Sequence, residues 1–341
     1  MQAPISAAAM PRHRGLLSAL LTVALATASL PLGAADGPVH PDPGLDLTPA
    51  YESYWSEGRL DRGRIERDFD ATARQLRDLR VLVAPSWLSD TARAAAEAGV
   101  FDFLGAQIEA LREAGITVEM AKTDSEGSVA DNAVVILEQI EASAQPLCLI
   151  SHSKGGLDLM EALLRASAPV LEKVRCWVAL QSPFAGSPLA DLAEDNWLLR
   201  ETASRLLPAL GGSAQSLTDL TVAERRRYLA RHAARIDAVL RRIAILCYAG
   251  RVAQEDGESF PSNLGASILS WAAEREMPSD GLVPVKSAIL PHTHYIIAEG
   301  VDHAITVSDR NPLAGDLDRV LLIKLLLNLV FALPEDPPLK T

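Results

Sequence analysis

The sequence predicts an α/β protein, with a mostly parallel sheet of about six strands flanked by helices and one helical insertion. Three observations carry this. Short apolar runs recur at residues 81–84, 116–120, 147–150, 176–180, 243–248 and 294–298, with little polar alternation. Strands of that composition are buried on both faces, as parallel strands are. Helix-like stretches separate them. In 101–114, Phe101, Leu104, Ile108 and Leu111 recur at helical spacing and Gly115 marks the stop, and 130–142 and 157–166 follow suit. The third observation is an interval of about sixty residues between the runs ending at 180 and starting at 243, far longer than an ordinary connection. It holds helical stretches at 189–207 and 222–242, the second opened by a capping box from Thr221 to Glu224. Residues 189–242 are therefore expected to form a lid or cap. The apolar stretch 320–333 is too short for a bilayer and carries Lys324, so it is expected to pack on the sheet as a helix.

The chain before this pattern divides in two. Arg12, His13 and Arg14 precede an apolar run at 16–30, and Gly33, Ala34 and Ala35 supply small residues at a cleavage point. Residues 1–35 thus read as a signal peptide, removed on export to the periplasm or the medium, rather than as a retained anchor. Residues 36–49 contain Pro38, Pro41, Pro43 and Pro49 and read as an extended linker to a domain over 50–341. The stretch 50–77 is polar and helix-prone.

Charge narrows the partners. The 341 residues carry a net −12, and loss of the leader removes two arginines and no acid, leaving −14. A field of that sign repels phosphate backbones, so nucleic acid is not an expected partner. Cys148, Cys176 and Cys247 each fall in an apolar run, where packing as small buried hydrophobes is the expected role. Their odd number leaves at least one thiol unpaired. None has a second Cys or His at metal-ligand spacing, so neither a metal nor another cofactor is expected.

Residues 149–156 read Leu-Ile-Ser-His-Ser-Lys-Gly-Gly and join a predicted strand to a predicted helix. A sharp strand-to-helix turn forces its middle residue into a strained backbone, so the neighbours two before and two after must be small. Ser151 and Gly155 meet that demand around Ser153. The segment resembles the nucleophile elbow of the lipase and esterase branch of the α/β-hydrolase superfamily, except that Ser151 stands where the family usually has glycine. The resemblance covers roughly residues 81–308. It implies an α/β-hydrolase fold and Ser153 as nucleophile. His152, beside the serine, is expected to point elsewhere.

An activated serine needs a base and a supporting acid. His303 lies in the loop after the last strand, matching the family's chain order of serine, acid, histidine. His13 and His40 fall in the leader and linker, His232 on an arginine-bearing helix face, and His292 and His294 at the opposite end of the sheet. Asp280, in Asp280-Gly281-Leu282-Val283, resembles the Asp-Gly-x-Val turn of bacterial lipases and is the expected acid. Glu255, Asp256 and Glu258 are fallbacks, and Asp302 is assigned to loop stabilisation or a metal contact. The two oxyanion-hole donors are expected from the backbone N–H groups of Lys154 and of Trp87, the latter in the loop after the first strand. Residues 181–188 resemble a lipase segment taken as pocket wall.

Together these imply hydrolysis of a carboxylic ester with an apolar acyl part, a small molecule or a lipid, with transient contact at a lipid interface compatible with that substrate. Acyl transfer through the same residues is one alternative. A non-catalytic binding protein on the same fold, or an envelope-anchored interaction protein, is another. Oligomeric state is not legible in the sequence.

Overall fold

The computed structural model describes residues 44–86, 103–195, 214–252, 277–307 and 317–333. The leader 1–35, Trp87, Glu255, Asp256 and Glu258 lie outside the described residues. So do 36–43 of the linker and 196–213 of the insertion.

Six parallel strands form one sheet: β1 (Arg80–Ala84), β2 (Thr117–Met120), β3 (Leu147–His152), β4 (Val174–Leu180), β5 (Ala244–Arg251) and β6 (His294–Glu299). Their order is β2-β1-β3-β4-β5-β6. The chain therefore leaves β1 in one direction, returns, and continues in the other, which puts the topological switch point between β1 and β3.

The strands' period of two separates their side chains into two cores. Val81, Val83, Cys148, Ile150, Val178, Leu180, Leu246 and Tyr248 point to one face. There they meet α1 (Thr48–Leu60), α2 (Arg62–Leu76), α3 (Gly105–Glu113) and α10 (Arg319–Phe331). Leu82, Leu147, Leu149, Trp177, Ile245 and Cys247 point to the other. They meet α4 (Val129–Ala142), α5 (Lys154–Arg165) and α9 (Val222–Leu240), with the short α6 (Ala168–Leu171) beside them. The apolar helix near the C-terminus packs as expected: Leu321, Leu322, Leu325, Leu326 and Leu327 of α10 are all buried. Among the described residues no helix is long and apolar enough to cross a membrane.

Three expectations need correction. The interval between β4 and β5 holds α7 (Pro188–Asp195), α8 (Ala214–Thr218) and α9. Ile236, Val239 and Leu240 of α9 sit in the sheet's own core, so this helix is the crossover between β4 and β5 and not part of a detachable cap. The second concerns the linker. The Leu47 N–H donates to the Tyr295 carbonyl at 2.8 Å and the Tyr295 N–H to the Leu45 carbonyl at 3.1 Å. An edge strand leaves its outer backbone groups unpaired, and residues 45–47 meet those of β6.

The third concerns the cysteines. Cys148 of β3 and Cys176 of β4 are in-register partners and form a disulfide, while Cys247 remains a free buried thiol. Adjacent parallel strands put partner residues on the same face, with these Cα atoms 4.7 Å apart, and packing alone does not use that proximity. With the cysteines 28 positions apart in the chain, chain entropy assigns the bridge about 3–4 kcal/mol. The double variant Cys148→Ala with Cys176→Ala is expected to lose that much in urea unfolding, and a loss under about 1 kcal/mol would show that the bridge constrains little.

Candidate active site

Ser153 sits between β3 and α5 with φ 53° and ψ −128°. That backbone is costly for a residue with a side chain and is held from both sides. The Ser153 N–H donates to the Leu180 carbonyl and the Gly156 N–H to the Ser153 carbonyl, each at 3.0 Å. The turn needs Gly155, because a Cβ there would lie 2.4 Å from the carbonyl oxygens of both Ala84 and Pro85. Ser151, the departure from the family pattern, is fully buried and accepts a 2.9 Å hydrogen bond from the Trp177 indole N–H. The position tolerates a side chain because that side chain has a donor to satisfy.

The structure brings Ser153, His303 and Asp280 together at the carboxyl edge of the sheet. Ser153 Oγ lies 2.9 Å from His303 Nε2, and His303 Nδ1 lies 2.8 Å from Asp280 Oδ2. An ionised carboxylate only accepts, so the imidazole proton belongs on Nδ1 and Nε2 is free to accept from the serine hydroxyl. Asp280 is held by its own turn: Oδ1 accepts from the Leu282 N–H at 2.9 Å and the Val283 N–H at 2.7 Å.

The loop that carries His303 is pinned at several points. The His303 N–H donates to the Asp280 carbonyl at 3.0 Å. Asp302 Oδ1 accepts from the N–H groups of Ala304 at 2.8 Å and Ile305 at 2.7 Å, a loop-stabilising role. Burial raises the Asp302 carboxyl above its usual range. His152 turns away from the serine. Its Nε2 donates to the His303 carbonyl at 2.8 Å, and the two rings stand 4.8 Å apart. Burial, then the neighbouring His303, keep His152 well below the usual imidazole range, so it is a neutral prop beneath the other ring.

Lys154 is the first residue of α5, so its backbone N–H has no acceptor within the helix and lies at the positive helix end. Sequence reasoning missed its side chain. Lys154 is only 1% exposed, and its Nζ meets Asp158 Oδ1 at 2.9 Å and Oδ2 at 3.0 Å. Asn132 Nδ2 adds a third bond to Asp158, at 2.9 Å. Burial raises the Asp158 carboxyl to about 6, against the lowering influence of Lys154 and Asn132. The i,i+4 spacing within the elbow helix was the available signal.

His292 and His294 lie away from this cluster, at the start of β6, and His292 faces Asp237 at 3.4 Å. His232 packs against Tyr228 with the rings tilted by 43° and their centroids 4.6 Å apart. Within the segment 181–188, Gln181, Ser182 and Phe184 are wholly buried. Among the described residues no group of three or more His, Cys, Asp or Glu side chains could hold a metal ion.

No protein-family model and no curated protein matches the chain. Solved structures do. A metagenomic carboxyl esterase matches at 21% identity and TM-score 0.59, over 74% of this chain and 76% of its own. The mature form of a Bacillus licheniformis lipase matches at 18% and 0.52, over 73% and 92%. A Staphylococcus hyicus lipase matches at 14% and 0.51, over 75% and 96%. The fold is that of the α/β-hydrolases, with bacterial lipases and esterases as its structural neighbours.

Proposed function

We propose that the protein is an exported serine hydrolase that cleaves a carboxylic ester with an apolar acyl part through an acyl-serine intermediate. The observation that carries this reading is the continuous hydrogen-bonded row from Ser153 through His303 to Asp280, seated on a strained strand-to-helix turn. Ser153 Oγ attacks the ester carbonyl while His303 Nε2 takes its proton. The resulting imidazolium is stabilised by Asp280 and passes the proton to the departing alcohol. Water then repeats the sequence on the acyl-serine, releasing the acid and restoring the serine. The Lys154 N–H is one oxyanion donor, and the loop after β1, at Trp87, is assigned the other.

The Leu- and Ala-rich sequence 189–207 and the lipase-like Asp280-Gly281-Leu282-Val283 turn support a greasy substrate, either a small ester or a lipid reached at an interface. Export is supported by the leader-like 1–35 and by the Cys148–Cys176 disulfide, since such bridges persist in oxidising compartments.

A fluorophosphonate probe followed by peptide mapping tests the reading. Labelling is expected at Ser153 alone, with para-nitrophenyl ester turnover abolished in Ser153→Ala. A folded protein that neither labels nor turns over the ester would overturn the proposal.

A further inference from the structure

Behind the row lies a polar side chain that none of these roles uses. Gln181 stands one residue past β4, fully buried, with φ 49°. Its backbone N–H donates to the Tyr248 carbonyl at 2.7 Å, fixing it against β5. Its Nε2 donates to Asp280 Oδ2 at 3.0 Å and to the Asp302 carbonyl at 2.8 Å. Its Oε1 accepts from the Thr306 hydroxyl at 2.7 Å. This orientation is forced: a carboxylate and a carbonyl only accept, so the NH2 end must face them, and a hydroxyl can serve the other end. Space for the amide depends on Gly250. A Cβ there would fall 2.8 Å from Gln181 Nε2 and 3.0 Å from the Asp280 Cβ.

We propose that Gln181 is a positioning residue that locks the acid loop to the base loop, so that Asp280 and His303 stay aligned. The inference rests on the hydrolase reading above. One amide reaches the acid and both sides of His303: Asp302 precedes that histidine and Thr306 lies three residues beyond it. Asp280 Oδ2 thereby meets two donors, the His303 ring and Gln181, while Oδ1 meets two backbone N–H groups. The carboxylate then has a fixed orientation. The titratable groups around this point are Asp280, Asp302, His303 and His152. Gln181 supplies a neutral donor among them, which steadies the carboxylate without adding charge.

Two consequences follow on losing that donor. The loops gain freedom to drift, which misplaces the imidazole and lowers turnover more than substrate binding. Asp280, with one fewer hydrogen bond, becomes more basic and holds the His303 imidazolium more tightly. The acid limb of the pH–rate profile then moves to higher pH.

The test compares the purified wild-type protein with Gln181→Met and Thr306→Val, using ester turnover across pH, probe labelling at Ser153 and thermal melts. For Gln181→Met, kcat is expected to fall about ten- to hundredfold with KM within about twofold, and the acid limb to rise by about half to one pH unit. Thr306→Val, nearly isosteric, keeps the amide but frees its orientation and is expected to move both quantities the same way by less. If Gln181→Met does not fold, Thr306→Val decides alone. An unmoved acid limb in a folded variant, with activity lost only in proportion to melting, would make Gln181 merely structural and overturn the inference. If wild-type Ser153 does not label, the hydrolase reading falls and takes this one with it. If wild type labels and the variants match it, only the inference falls.

Discussion

Asp280→Asn is expected to lower ester turnover by about ten-thousand-fold while leaving the protein folded. The size follows from how completely the carboxylate is surrounded. Oδ1 accepts from two backbone N–H groups, so an amide NH2 cannot occupy that position, and the asparagine oxygen must. Its NH2 then takes the place of Oδ2, facing the His303 ring at 2.8 Å and the Gln181 NH2 at 3.0 Å. An amide NH2 only donates, so the Gln181 bond to this position is lost, and the imidazole must present a bare Nδ1 and carry its proton on Nε2. That nitrogen then points a proton at Ser153 and cannot act as its base. Labelling rates and ester turnover check this. Activity within about tenfold of wild type would mean that Asp280 does not set the His303 tautomer, and that another acid supports the base.

The second large effect concerns stability. Lys154→Met is expected to cost about 3–5 kcal/mol, because it strands the Asp158 carboxylate inside the protein. The double variant Lys154→Met with Asp158→Leu is expected to recover most of the loss, since an apolar pair of similar volume carries no desolvation penalty. The deficit of the single variant must also depend on pH. Asp158 already binds its proton more tightly in the folded state, at about 6 against the ordinary aspartate value of 3.8. A raised acid contributes most to stability when protonated, and that contribution is lost as pH rises through the folded value. Removing Lys154, whose influence lowers the Asp158 value, pushes it higher still. Urea midpoints should therefore separate widely near pH ~8 and converge towards pH ~5. A deficit that does not change with pH would show that the lost lysine packing, and not the stranded charge, is responsible.

The pair has a bearing on function as well. Lys154 contributes its backbone to the proposed oxyanion hole, and its side chain ties the first turn of α5 to Asp158 and, through it, to Asn132 of α4. A donor aimed at developing charge is most effective when it need not reorganise. The ion pair fixes the helix start from which that donor comes.

Much of this protein was legible in its residues. Short uninterrupted apolar runs between amphipathic stretches fit strands covered on both faces, which is how the six parallel strands are packed. The elbow was readable because a strained turn tolerates so few side chains. Ser153, Asp280 and His303 were singled out by places after strands that match the chain order and turns of the resembled family, and the fold brings these three within hydrogen-bond reach.

What only the tertiary structure decided is a matter of register, depth and partner. Cys148 and Cys176 read alike as apolar-run cysteines, and their pairing depends on β3 and β4 being neighbours in one particular register. The helix α9 looked like part of an insertion because local periodicity says that a helix has an apolar face, not which surface that face will cover. Residues 45–47 carry no strand pattern and acquire one from the unmet hydrogen bonds of an edge. Gln181, polar and at the end of an apolar run, gave no local sign of its place, since Asp280, Asp302 and Thr306, which its amide bonds, lie 99 to 125 residues further along the chain. Local chemistry sets what each segment can become, and long-range burial, which desolvates every polar group it encloses, selects the partner each must find.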